Sequence, residues 1–276
     1  MIFVFKAWER FCAKLSSGGI KSIPAYQVIE DRKTYVVLKH DVETDVSKAF
    51  KLASIEHRYG HCGTYYVQAY LLSQEKNIQL LKEMQAMGHE ISYHYDVMDS
   101  NKGDIAKAMA EFEKNRALFE ENGFFVKTVC QHGNPVVERI GYTSNRDFFR
   151  NAEVQKRYPD ISDIMVNYAE KVPTKYLYFS DAGRKFKRIY DPINNDVIPS
   201  DDKNVPYDNL EQVYQNLALD QGNIISTHPH RWTKSAIKYT VKTVIFKIVK
   251  CIAKLMMKVP FLKKFMSRYY YLAKKI

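Results

Sequence analysis

Four short polar clusters, far apart along the chain, hold most of the residues able to do chemistry. They are His40-Asp41-Val42-Glu43, Tyr93-His94-Tyr95-Asp96, Gln131-His132-Gly133-Asn134 and Thr227-His228-Pro229-His230. A fifth, Ser180-Asp181, has the same character. Carboxylate and imidazole side chains on a rigid frame can hold a divalent metal with one position open to water. Bound metal brings the pKa of that water toward neutrality. A nearby carboxylate can then take its proton, and a separate imidazole can protonate a leaving group. Neither a GxSxG elbow nor a glycine-rich phosphate loop offers a competing chemistry.

Each cluster follows a run that reads as a strand. Tyr35–Leu38, Thr64–Val67, 89–94, Phe125–Cys130, Tyr176–Phe179 and 222–227 are short, apolar and rich in β-branched or aromatic residues. Ser47–Tyr59, Ile78–Met87, 104–121 and Leu210–Leu219 carry helical periodicity, three of them stopped at or near Gly60, Gly88 and Gly123. Ala7–Leu15 reads as a short amphipathic helix before them. Strand–helix alternation with short connections predicts an α/β fold with a parallel sheet. In such folds the C-terminal strand ends face a common crevice, so clusters distant in sequence can meet there.

The clusters, in this order, resemble the motif series of polysaccharide deacetylases, carbohydrate esterase family 4, in the branch with an HDVD-type first motif. The residues that carry the resemblance are His40-Asp41-Val42-Glu43, Gly88-His89-Glu90-Ile91-Ser92-Tyr93-His94, Gln131-His132-Gly133-Asn134-Pro135, Phe179-Ser180-Asp181-Ala182-Gly183 and Thr227-His228-Pro229-His230-Arg231-Trp232, spanning roughly residues 35–232. The resemblance implies a distorted (β/α) barrel of seven strands and metal-dependent hydrolysis of an N-acetyl or related acyl amide on a sugar. It implies Asp41 as general base and metal neighbour, His94 as a ligand and His228 as the general acid. Glu43 supplies the second carboxylate of the first motif, two residues on. Met98 stands where the family has a second histidine, and His132, on the next strand, can replace that ligand. The expected metal set is therefore Asp41 or Glu43, His94 and His132, with zinc as the metal. Asp181 either holds a ligand or the acid by a hydrogen bond or caps a turn. Asn134, His230 and Trp232 are expected near the sugar, with a core anchor as the equal alternative for Trp232. His40 and His89 read as structural, and His57 and His61 as solvated.

The chain has 276 residues, of which 46% are hydrophobic and 26% charged, which excludes a disordered polymer. The four cysteines, Cys12, Cys62, Cys130 and Cys251, form no CxxC pair and suit a reducing compartment. The start of the chain does not read as a secretory signal, and no apolar run is long enough to span a bilayer. The net charge of +11 is concentrated in residues 234–276, which contain no Asp or Glu. There Val241, Val244, Ile245, Ile248, Val249 and Ile252 recur at helical spacing with Lys242, Lys247, Lys250 and Lys254 between them, and Phe261, Leu262 and Phe265 begin a second amphipathic piece after Pro260. This pattern predicts helices lying on an anionic membrane surface. No nucleic-acid-binding motif accompanies the charge. The expected organisation is a barrel over residues 1–233 and a basic amphipathic helical extension over residues 234–276, working at the cytoplasmic face of a membrane on a surface or lipid-linked glycan. The rival readings are an amidase acting on a non-sugar C–N bond and a non-catalytic, membrane-associated carbohydrate-binding protein on the same scaffold.

Overall fold

The computed structural model describes residues 3–28, 34–134, 137–172, 174–198 and 201–256. Its nine strands are β1 (Tyr35–Val42), β2 (Gly63–Val67), β3 (Glu90–Tyr95), β4 (Thr128–Gln131), β5 (Ser162–Asp163), β6 (Tyr176–Ser180), β7 (Lys187–Ile189), β8 (Val205–Pro206) and β9 (Gly222–Thr227). They form one sheet in the order β5-β4-β3-β2-β1-β9-β6-β7-β8. The seven strands from β5 to β6 are joined by parallel pairings, and β7 and β8 extend the β6 edge as antiparallel ribbons. The architecture is a distorted (β/α) barrel. Its seam lies between β5 and β6, where no ladder is formed among the described residues and Tyr176 Oη donates to the Ile164 carbonyl at 3.4 Å.

Alternation along the strands separates an interior from a helix-covered exterior. On β1, Val37 belongs to the interior cluster with Tyr66, Cys130, Ile164, Tyr178 and Ile224. Val36 and Leu38 face outward with Trp8, Phe11 and Leu15 of α1 (Phe5–Ser17) and Leu52 and Ile55 of α2 (Val46–Arg58). On the other flank α3 (Glu75–Ala86) and the helix Ile105–Glu121 cover β2, β3 and β4. The Asp45 and Asp104 side chains cap α2 and Ile105–Glu121 by accepting from Lys48 N and Lys107 N, both at 3.1 Å. Segment Ile23–Val28 belongs to the interior cluster too, and Tyr168 Oη donates to the Ala25 carbonyl at 2.9 Å.

The strand boundaries run past the apolar stretches. His40, Asp41 and Val42 lie inside β1, and His94 and Tyr95 inside β3, so these polar residues belong to the ladder rather than to loops. Phe125 lies outside β4 and is exposed. His61 corrects the expectation of solvation: it is buried, with Nε2 3.0 Å from the Cys12 carbonyl and Ser22 N donating to Nδ1 at 3.3 Å. β5 is only two residues long, too short to show a period. The C-terminal helix spans Ala236–Met256 and leaves Ile237, Val241, Val244, Ile245 and Ile248 exposed. No described helix is long and apolar enough to cross a membrane. The expected second amphipathic piece after Pro260 lies outside the described residues.

A buried carboxylate ties the outer layers together. Glu56 of α2 accepts from Trp8 Nε1 and Tyr65 Oη, each at 2.9 Å, and lies 2.9 Å from His40 Nε2. Burial raises its pKa, and the neighbouring His40, His89 and Tyr65 more than reverse that, so it stays ionised. Glu56→Ala removes the shared acceptor and strands these donors. Chemical denaturation should then show a loss of about 3–5 kcal/mol; a loss near zero would mean that the network does not bear on stability.

Candidate active site

β1 delivers three charged side chains to the interior, two residues apart: Lys39, Asp41 and, just past the strand, Glu43. Lys39 is fully buried, and its Nζ donates to both Asp41 oxygens, at 2.6 and 2.7 Å, and to Ser226 Oγ at 3.2 Å. Burial alone would discharge the ammonium, but Asp41 holds its pKa well above the ordinary lysine value. Burial likewise raises the Asp41 pKa, and Lys39, His94 and His228 more than offset it, so the carboxylate is held below its usual value. The result is a charged pair inside the barrel. The sequence reading missed Lys39; the available signal was a lysine inside an apolar strand at the same-face position to Asp41.

His94, on β3, is buried, and its Nδ1 donates to the Cys130 carbonyl at 3.0 Å. That bond leaves Nε2 as the bare nitrogen, and Nε2 has no hydrogen-bond partner. Burial pushes the imidazole pKa down to about 3, against the pull of Asp41, so the ring is neutral. His132 is buried just beyond β4, its backbone N–H donating to the Tyr95 carbonyl at 2.6 Å. Its Nε2 lies 3.3 Å from Glu43 Oε1. Donor atoms of Glu43, His94 and His132 all lie within 4.8 Å of one another. Asp41, His94 and Cys130 form a second such group. It suits a cation less, because burial raises the Cys130 thiol pKa and Lys39 occupies both Asp41 oxygens. The first group fits a divalent metal: two neutral-capable imidazoles, one carboxylate, and a buried nitrogen lone pair without a donor.

His228, at the end of β9, completes the arrangement. Its Nδ1 is 2.5 Å from Asp181 Oδ1, which directs Nε2 toward Asp41 Oδ2 and Glu43 Oε1, each 3.8 Å away. Asp181 is fully buried and accepts further bonds from Thr227 Oγ1 at 2.7 Å, His228 N at 3.0 Å and Arg231 Nη1 at 2.6 Å. Burial raises its pKa, and Arg231, His228 and the hydrogen bonds together hold it well below the usual carboxylate range. Of the two readings open for Asp181, holding the His228 ring is therefore the observed one.

These groups open onto a cavity of about 440 Å³ lined by Lys39, Asp41, Glu43, His94 and His228, with Arg184 and Arg231 beside them. His230 also lines it, its imidazole pKa pushed down to about 3 by burial and by Arg231. Asn134 does not line it; its carbonyl accepts from Arg139 at 2.9 Å. Trp232 is a core anchor and not a sugar platform: it is fully buried against Phe3 and Trp8, and its Nε1 donates to Thr227 Oγ1 at 2.8 Å. Met98 is core as well.

No model of a known protein family matches the chain, and no curated protein matches it. Among solved structures, it is similar to a family 4 carbohydrate esterase from Streptomyces lividans in complex with acetate, at 15% identity and TM-score 0.43, covering 71% of this chain and 79% of that one. It is also similar to a CE4 esterase from Streptococcus mutans, at 13% identity and TM-score 0.43, covering 77% of this chain and 81% of that one. A third is the catalytic domain of a peptidoglycan N-acetylglucosamine deacetylase from Eubacterium rectale, at 13% identity and TM-score 0.38, covering 79% of this chain and 85% of that one.

The Lys39–Asp41 pair sets a pH signature. Asp41 has a folded pKa below its unfolded value, so its contribution is present above the unfolded pKa and is lost as pH falls through the folded one. Lys39→Met leaves Asp41 buried without its cation and should cost about 3–5 kcal/mol near neutral pH. Urea titrations at successively lower pH should show that cost shrinking as Asp41 protonates in the variant. A cost that does not change with pH would place the effect in packing.

Proposed function

We propose that the chain is a metal-dependent hydrolase that removes an N-acetyl or related acyl group from a sugar of a surface or lipid-linked glycan. The observation that carries this reading is the partnerless, buried His94 Nε2, grouped with Glu43 and His132 and flanked by an ionised Asp41 and an Asp181–His228 pair. The acetylated sugar as substrate rests on the motif resemblance of the five clusters.

Glu43, His94 and His132 would hold the ion, and a His₂–carboxylate set makes zinc our assignment. A divalent ion at this position supplies an activated water and polarises the acyl oxygen. Asp41 acts as the base: Lys39 keeps it ionised and fixes its direction, and it stays outside the ligand set because both of its oxygens are engaged. His228 acts as the acid, presenting Nε2 to the departing amine while Asp181 holds Nδ1 and stabilises the imidazolium. His230 and Arg231 line the cavity wall beside that transfer.

The C-terminal helix is assigned to an anionic membrane surface at the cytoplasmic face. In support, it has exposed apolar residues, Lys238 and Lys242 beside them, and no acidic residue. The side chains of Lys247, Lys250 and Lys254 lie outside the described residues, and their membrane role rests on spacing alone.

Metal analysis on dialysed protein should find about one equivalent of zinc in the wild type, and little in His94→Ala or His132→Ala. Asp41→Asn and His228→Gln should keep the metal and release acetate from acetylated chitooligosaccharides about 10²–10⁴-fold more slowly. A wild type that takes up no zinc ends the proposal. Full-length protein with Val241, Val244, Ile245 and Ile248 changed to Ser should lose sedimentation with phosphatidylglycerol vesicles; undiminished sedimentation would refute the membrane assignment.

A further inference from the structure

The cavity wall carries a set of cations that amide hydrolysis does not require. Arg184 and Arg231 both line it, beside Glu43 and His228. Arg231 is directed by Asp181, whose carbonyl and carboxylate oxygens both accept from Nη1 at 2.6 Å. Arg184 follows Gly183 in a tight turn closed by its own N–H to the Asp181 carbonyl at 2.9 Å. Both residues have left-handed backbones, φ +76° and +63°. For an arginine that conformation is strained, and it persists where surrounding structure enforces it.

Two more cations join from other elements. Lys48, in the first turn of α2, donates from Nζ to the His230 carbonyl at 2.6 Å. Burial lowers its pKa, and Lys242 of the C-terminal helix and Arg184 lower it further, while Asp45 opposes them. Burial also lowers the Arg184 pKa, with Arg231 next. The loop after β6, the turn after β9, the start of α2 and the C-terminal helix thus bring like charges within each other's field. Acidic groups facing them include Asp45, whose Oδ2 lies 3.8 Å from Lys48 Nζ, Asp181 and Glu43. Asp181 is committed to His228 and Arg231, and Glu43 to the metal group. Partly desolvated like charges repel, and a bound anion relieves that repulsion.

We propose that Arg184, Arg231 and Lys48 form a subsite for a phosphate or diphosphate group, so that the substrate class is a glycosyl phosphate with its sugar over Glu43, His94 and His132. This rests on the hydrolase reading of the cavity. Two arginine forks and an ammonium group match a multiply charged phosphate better than a single carboxylate. The phosphate of a soluble sugar phosphate and that of a lipid-linked glycan share this chemistry.

The test is calorimetry with pyrophosphate on metal-free, full-length protein, so that no metal can coordinate the probe. The wild type should bind it, and Arg184→Gln and Lys48→Gln should each weaken binding about tenfold or more. Zinc uptake should match the wild type in both variants, which also shows that they fold; Lys48, half-buried in the first turn of α2, carries the test if Arg184→Gln does not. No binding by wild type, or equal binding by wild type and both variants, overturns the subsite. Failure of wild type to take up zinc would end the hydrolase reading and leave the pyrophosphate comparison intact. Vesicles of phosphatidylglycerol and phosphatidylcholine separate the sources. Vesicle binding retained by Arg184→Gln, alongside weakened pyrophosphate binding, supports a phosphate on the substrate. Vesicle binding lost in step with pyrophosphate overturns the subsite in favour of simple headgroup attraction.

Discussion

A strand repeats every two residues, and β1 uses that repeat to point Lys39, Asp41 and Glu43 into the barrel one above another. A fully buried ammonium demands a counter-charge, and Asp41 is the nearest position that can provide it. With both Asp41 oxygens held by Lys39, the proposed metal ligation would fall to the next inward position, Glu43, and to the histidines grouped with it. The same repeat raises Ile224, Ser226 and His228 on β9, and Ser92 and His94 on β3. An apolar layer with Val37 and Ile224 therefore lies beneath the ionic groups at the mouth. The site sits above that layer, and its charges are affordable there because each has a partner.

The outward face of β1 carries the complementary solution. His40 turns away from the cavity and stacks on Tyr65, with ring centroids 4.2 Å apart, beside the buried Glu56. Adjacent residues of one strand thus serve two separate systems: Asp41 pairs with Lys39 inside, and His40 lies beside Glu56 outside. This is why the histidine of the first cluster is no ligand, while the glutamate two residues from Asp41 can be.

Much of this was legible in the sequence, for identifiable reasons. The long strands are compact apolar runs, and the long helices carry periodic stripes with caps or glycine stops, so the α/β alternation and the order of the clusters emerged directly. The strand ends did not. His40 and Asp41 are polar and read as loop, but a ladder accepts polar side chains wherever the interior pairs them. β5, β7 and β8 have two or three residues each, too few to show a period. His61 was unreadable for another reason: its partners, Cys12 and Ser22, are remote in sequence, and only the folded chain brings them close. Trp232 sat on the boundary between cleft and core, and its bond to Thr227 turns it inward.

Asp181 links the proposed acid to the proposed phosphate subsite. One carboxylate oxygen, Asp181 Oδ1, faces both the His228 imidazole and the Arg231 guanidinium, so two donors share a single acceptor. A phosphate at Arg231 and Arg184 would give the guanidinium a second anionic partner. It would thereby leave Asp181 Oδ1 freer to hold the His228 ring, whose Nε2 faces Asp41 and Glu43. A substrate carrying phosphate would in this way firm the contact that orients the proposed acid, whereas a neutral sugar would leave that oxygen divided between His228 and Arg231.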